Sequence, residues 1–377
     1  MYVSHQRELC GEKIYIIRYN MILFRVDGNE AIGIGHVVRC ISIADAAKKK
    51  EIDSIFICSK ESSVRLIKEK GYMYEVLDTH YCEMMNELEK FIRLIKRYKP
   101  EVIFIDSYFL TTAYLLRLRD IISKKITIAL IDDLREDILP CDILVNYAFD
   151  GEKANNEYKE RYLKEKVNCP KLLLGIKYAP LREEFGKLHP RIINTEVHDV
   201  LLLSGGSDIE HFTYRFLKKL LSLRNMNLYS YHIVIGELNQ DIFEIKKMAE
   251  EIENVQLYVN YDKMSDLMQK CDYAITAGGV TLLELCACGT PMGVYFCADN
   301  QVLSKKMCDY MGVSCIGDIR VNERFIDDVM FDIDKMRNEY KKRKEISIKQ
   351  QNLIDGKGAM RIVDQLMNHS KNGGIVI

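Results

Sequence analysis

His36 is the side chain in this sequence best placed to move a proton. It stands in Ile32-Gly33-Ile34-Gly35-His36-Val37-Val38-Arg39, where an apolar run, Met21 to Val26, ends and a helical pattern begins. Glycines let the backbone turn and approach a ligand closely, and an opening helix offers unpaired N–H groups. An imidazole, with an ordinary pKa of ~6.5, accepts a proton near neutral pH. Arg39 lies one turn further along the same helix face. The octapeptide alone fits equally well a tight turn followed by a polar helix start.

Two further glycine pairs suggest an anion site. Leu203-Ser204-Gly205-Gly206-Ser207-Asp208 and Ala277-Gly278-Gly279-Val280-Thr281-Leu282-Leu283-Glu284 each leave a strand-like run and open a helix. That is where open α/β sheets bind ligands and where backbone N–H groups hold phosphate oxygens. One such pair is usually just a close turn. Two of them suggest a diphosphate, and Glu284, one turn into its helix, can accept both hydroxyls of a ribose. The polar Asp299-Asn300-Gln301 adds to that reading. On the other side, Arg25, Asp27, Asp106-Ser107-Tyr108 and Asp132-Asp133 end strand-like runs in the first half. Each alone fits a turn or cap, but they share a predicted sheet edge with His36.

The elements that must position these residues alternate short β-rich runs with helical patterns, as in parallel sheets built from βαβ units. Strands are predicted at Met21–Val26, Ser54–Cys58, Met73–Leu77, Val102–Ile105, Ile126–Ile131, Ile143–Val145 and Leu172–Leu174. After a charged segment interrupted by Pro190, they resume at Val200–Leu203, Tyr231–Ile235, Val255–Val259, Tyr273–Thr276, Met292–Phe296 and Val313–Ile316. Helices are predicted over His36–Lys49 and Glu83–Tyr98, with a helical tail from Phe325 to Asn368. The expected architecture is α/β, two doubly wound Rossmann-like domains over 21–190 and 191–377, with a cleft between them.

The 377 residues carry a net charge of −1, which gives no electrostatic case for nucleic acid or an anionic membrane. No apolar run reaches the ~18 residues of a membrane span. Residues 1–20 lack a signal-peptide pattern and read as an extension before Met21. The twelve cysteines show no zinc spacing, and Cys58, Cys297 and Cys315 fall in apolar runs as small buried hydrophobes. Together these features point to a reducing cytoplasm and small-molecule partners.

In order along the chain, Gly33-Ile34-Gly35-His36 with Arg39, Asp106-Ser107-Tyr108, Asp132-Asp133, Cys141-Asp142-Ile143-Leu144-Val145-Asn146, Tyr178-Ala179-Pro180-Leu181-Arg182-Glu183-Glu184-Phe185, Gly205-Gly206-Ser207-Asp208 and Ala277-Gly278-Gly279 carry a resemblance. The series resembles the UDP-sugar hydrolases of pseudaminic acid biosynthesis, which cleave UDP-2,4-diacetamido-2,4,6-trideoxy-β-L-altropyranose, and related spore-coat polysaccharide proteins. It extends from Met21 to about Asp355-Gly356-Lys357-Gly358-Ala359. The resemblance implies a GT-B fold like that of the glycosyltransferase that makes lipid II. It further implies a metal-free hydrolysis, without cofactor, in which water attacks the anomeric carbon and UDP departs.

By motif match, His36 would activate the water beside Tyr108. Arg25, Asp27, Gly35, Arg39, Asp106, Asn146, Tyr178 and Arg182 would face the sugar. Gly205, Gly206, Ser207, Asp208, Gly278, Gly279, Val280, Glu284, Asn300 and Gln301 would face the nucleotide. Family members often have Asp-His-Tyr where this chain has Asp106-Ser107-Tyr108; Pro180, Cys286 and Cys288 also depart from the pattern, which bears on the sugar more than on the reaction. A GT-B glycosyltransferase, or a nucleotide-sugar-binding subunit without chemistry, uses the same loops.

Overall fold

The computed structural model describes residues 20–29, 32–134, 137–206, 208–223, 228–236, 239–297 and 305–372. The first sheet contains β1 (Met21–Val26), β2 (Asp53–Cys58), β3 (Met73–Val76), β4 (Val102–Asp106), β5 (Thr127–Ile131), β6 (Ile143–Asn146) and β7 (Lys171–Leu174). The second contains β8 (Asp199–Leu203), β9 (Ser230–Ile235), β10 (Val255–Val259), β11 (Tyr273–Ala277), β12 (Met292–Phe296) and β13 (Ser314–Asp318). Their spatial orders are β3-β2-β1-β4-β5-β6-β7 and β10-β9-β8-β11-β12-β13, with parallel pairing throughout.

The uninterrupted apolar runs follow from helices covering both faces of each sheet. In β1 the register sets Phe24 beside Phe56 and Phe104, and these rings pack on one face with centroids 4.9 and 5.5 Å from Phe24. Leu23, Ile55 and Ile103 fill the other face. Alternation of side chains along the strand produces both layers. At the margin the rule weakens: Cys58 is buried as expected, but Cys297 is only partly buried and Cys315 is exposed. β13 ends its sheet, so Cys315 lacks a neighbouring strand on one side.

The tail divides into helices Phe325–Arg337, Tyr340–Leu353 and Gly358–Asn372. The expectation placed this whole tail with the second sheet. Instead, Ile362, Val363 and Leu366 of the last helix are buried in the core of the first, alongside helix Gly35–Lys48. The chain thus crosses between the sheets twice. The crossings touch backbone to backbone: a Cβ on Gly356 would lie 2.0 Å from the Phe185 carbonyl oxygen, and one on Gly358 2.1 Å from that of Ala179. Only glycine permits this approach.

Because Leu366 is fully buried between the last helix and the first sheet, Leu366→Ala is expected to cost about 2–5 kcal/mol. Urea unfolding of the full chain measures it; a change below ~0.5 kcal/mol would show that the helix is not part of that core.

Candidate active site

Both sheets reverse their strand order once, between β1 and β4 and between β8 and β11. At such a reversal the loops leaving adjacent strands diverge to opposite faces and open a crevice at their carboxyl ends. His36, the second residue of helix Gly35–Lys48, follows β1, and Asp106 ends β4. Gly205 and Gly206 follow β8, and Gly278 and Gly279 follow β11. The loops of the two sheets meet, since a Cβ on Gly206 would stand 3.5 Å from Ile34 Cγ1.

At the first reversal, His36 Nδ1 lies 2.7 Å from Asp106 Oδ1. Asp106 also accepts from Arg39 Nε and Nη2, and Arg39 Nη1 donates to Asp133 and to the Tyr147 hydroxyl. Burial pushes the Asp106 carboxyl up, but Arg39 and then His36 outweigh it and hold it well below the usual range. Arg39 Nη2 also lies 3.0 Å from Nδ1; the shorter contact is to a carboxylate that only accepts, and a proton on Nδ1 satisfies it. In that tautomer Nε2 carries the ring's free lone pair. Burial likewise opposes charge on Arg39, and Asp106 and Asp133 override it, holding the guanidinium protonated.

His36 is 6% exposed and lines a small crevice with Ile32, Tyr81, Ser107, Tyr108 and Phe109. Tyr108 meets the imidazole edge-on at 4.4 Å between centroids, and Tyr81 packs similarly on Phe109 at 5.4 Å. The aromatic walls at Tyr81 and Phe109, and the Tyr147 anchor of Arg39, carry no motif of their own. Only their positions beside strand ends connect them with the site.

In the second sheet, Gly279 caps helix Val280–Cys288 with extended backbone, and a Cβ at Gly205 or Gly279 would meet nothing within 4 Å. The same is true of Gly35 at the start of the His36 helix. These openings leave backbone N–H groups accessible to an anion. Gly278 donates its own N–H to the Tyr295 carbonyl at 2.9 Å, so it anchors the loop and is not an anion donor.

Several residues expected to face ligand are otherwise engaged. Arg25 is fully buried, with a two-pronged bond to Glu87 at 2.6 Å on each arm and a third to Asp27. Asp27 borders the crevice but accepts from the Ser59 N–H and hydroxyl, which makes it an organiser of that loop. Asn146 is spent on the Asp132 carbonyl, the Tyr158 hydroxyl and the Ala148 N–H. Asp208 accepts from the Phe212 and Thr213 N–H groups and thereby caps the helix Phe212–Ser222. Tyr178 packs against the first core from the turn Ile176–Tyr178. Arg182 and Glu284, expected on opposite sides of the ligand, pair with each other at 3.0 Å. Ser207, Asn300 and Gln301 lie outside the described residues. Among the described residues, no cluster of three metal-ligating side chains and no helix long and apolar enough to cross a membrane is found.

A family model described as lipid-A-disaccharide synthetase matches residues 181–361. The chain is 28% identical over 76% of its length to MJ1062, an uncharacterised protein of Methanocaldococcus jannaschii, spanning 57% of that protein. It is 27% identical over 70% of its length to UDP-2,4-diacetamido-2,4,6-trideoxy-beta-L-altropyranose hydrolase of Campylobacter jejuni, spanning 86% of that enzyme. The crystal structure of MurG from Acinetobacter baumannii superposes with a TM-score of 0.61 at 12% identity, over 93% of this chain and 99% of MurG. The fold is GT-B. As in GT-B proteins generally, two parallel sheets of Rossmann type face each other, here with seven and six strands.

Asp106 makes a pH prediction. A carboxyl depressed on folding contributes stability that is present above its unfolded pKa of ~3.9 and is lost as pH falls through the lower folded value. Asp106→Asn is therefore expected to be less stable than wild type near pH ~7, with the gap narrowing below pH ~3. Urea midpoints at both pH values test this. In parallel, Glu87→Ala removes the two-pronged partner of the buried Arg25, leaving it only Asp27, and is expected to cost ~3–5 kcal/mol in the same assay.

Proposed function

We propose that the chain hydrolyses a UDP-linked diacetamido-trideoxy-hexose at its anomeric carbon, giving UDP and the free sugar, in pseudaminic acid or surface-polysaccharide biosynthesis. The observation that carries the chemistry is the 2.7 Å contact between His36 Nδ1 and Asp106, which leaves Nε2 as a base at the crevice. Likeness to the Campylobacter hydrolase supports the substrate class.

In this reading the diphosphate rests on the loops at Gly205–Gly206 and Gly279–Val280. Their N–H groups and the dipole of helix Val280–Cys288 stabilise the charge that accumulates as the bond from the anomeric carbon to the diphosphate oxygen breaks. Water supplies its oxygen to that carbon and its proton to His36 Nε2. Asp106 fixes the ring and stabilises the imidazolium, as a carboxylate does behind other catalytic histidines. Tyr108, packed edge-on against His36, limits where the ring can turn. No step calls on a metal or a cofactor.

Transfer to a sugar or lipid acceptor would use the same nucleotide loops, and the GT-B fold shared with MurG keeps that reaction in the test. A panel of UDP-amino-sugars is offered to the purified chain in EDTA, and UDP release is followed. Release with water alone is expected; release only after an acceptor is added would make the protein a transferase, and tight binding without release would make it a binding subunit. His36→Ala is expected to lower kcat by ~10²- to 10⁴-fold. Full kcat in that variant would remove His36 from the mechanism.

A further inference from the structure

Arg182 lies in the first crossing between the lobes, immediately before the turn Glu183–Gly186, and reaches into the nucleotide lobe. Its Nε and Nη2 both donate to one oxygen of Glu284, Oε1, at 3.1 and 3.0 Å. Its remaining arm, Nη1, pairs with Glu184 at 2.9 Å, and its guanidinium stacks over Phe185 at 5.1 Å. Phe185 is buried in the second core, and Glu184 accepts the Ser265 N–H at 3.0 Å. The arginine is therefore held on two sides, by Glu184 and Phe185, besides its contact with Glu284. Burial holds the Glu284 carboxyl above the usual range, and Arg182 offsets only part of that rise.

The other oxygen, Oε2, has no hydrogen-bond partner among the described residues. Glu284 sits four residues after Val280, on the same helix face and one turn below the open N–H groups. That is a drop of ~5.4 Å, the scale of the step from a diphosphate to the sugar ring of its nucleoside.

We infer that Arg182 is a positioning residue for the nucleotide: by gripping Oε1 of Glu284 it fixes the carboxylate so that Oε2 accepts the vicinal hydroxyls of the ribose. The assignment rests on the nucleotide-sugar reading above, and it replaces the expectation that Arg182 touches the sugar. It also places the recognition of the ribose under the control of the crossing between the lobes.

The probes are UDP and 2′,3′-dideoxy-UDP, titrated by calorimetry into the full chain. Wild type is expected to prefer UDP. In Arg182→Gln that preference should shrink by about 10-fold, as for loss of a charge-assisted hydrogen bond, while affinity for the dideoxy probe stays within about 2-fold. Arg182→Lys, which keeps one charged donor, should recover part of the preference. Equal losses for both probes in Arg182→Gln would reduce the residue to a structural role and overturn the inference, as would an unchanged preference. Wild type that binds both probes equally would overturn it while leaving the nucleotide reading intact. Wild type that binds neither would remove that reading and the inference together.

Discussion

A single buried carboxylate organises the first lobe's half of the cleft. Asp106, at the end of β4, takes hydrogen bonds from two residues of the helix that follows β1, His36 and Arg39. The two strands are neighbours only because the sheet reverses its order there. The ion pair thus closes the gap that the reversal opens and holds the imidazole at its edge. Arg39 and His36 share the carboxylate, so one anion fixes both side chains.

The second lobe answers with backbone in place of side chains. Gly205 and Gly279 are open to the cleft, whereas Gly206 is pressed toward Ile34 from the opposite lobe. The imidazole on one Rossmann sheet and the glycine loops on the other thus meet at one cleft, with neither lobe containing both. This division follows from the GT-B arrangement.

Much of the scaffold was legible in the sequence. β1 and β12 occupy the limits read from their apolar runs, since a strand buried on both faces admits few interruptions, and the half-exposed edge strand β10 keeps its predicted limits as well. The glycine turns and the place of His36 at a helix start were legible because strand-to-helix turns are local. The charge pairs were not: Arg25 and Glu87 are 62 residues apart, and Arg182 and Glu284 are 102 apart. A motif shows that an ionisable residue is present, but its role depends on which distant partner occupies it. Asp208 looked like a phosphate neighbour and serves as a helix cap, a function any Asp before a helix can take. The last helix misled for a related reason, because its apolar stripe does not state which core it completes.

That final helix bears on how the chain is made. Residues of β1 leave the ribosome early, yet the layer covering one face of their sheet includes Ile362 and Leu366, close to the end of the described chain. Domains synthesised first ordinarily fold first. Here the earliest sheet waits for the latest segment, while the second sheet can assemble from contiguous sequence in the interval. The lobe that holds His36 and Asp106 is thereby completed only after the lobe that holds the two glycine loops.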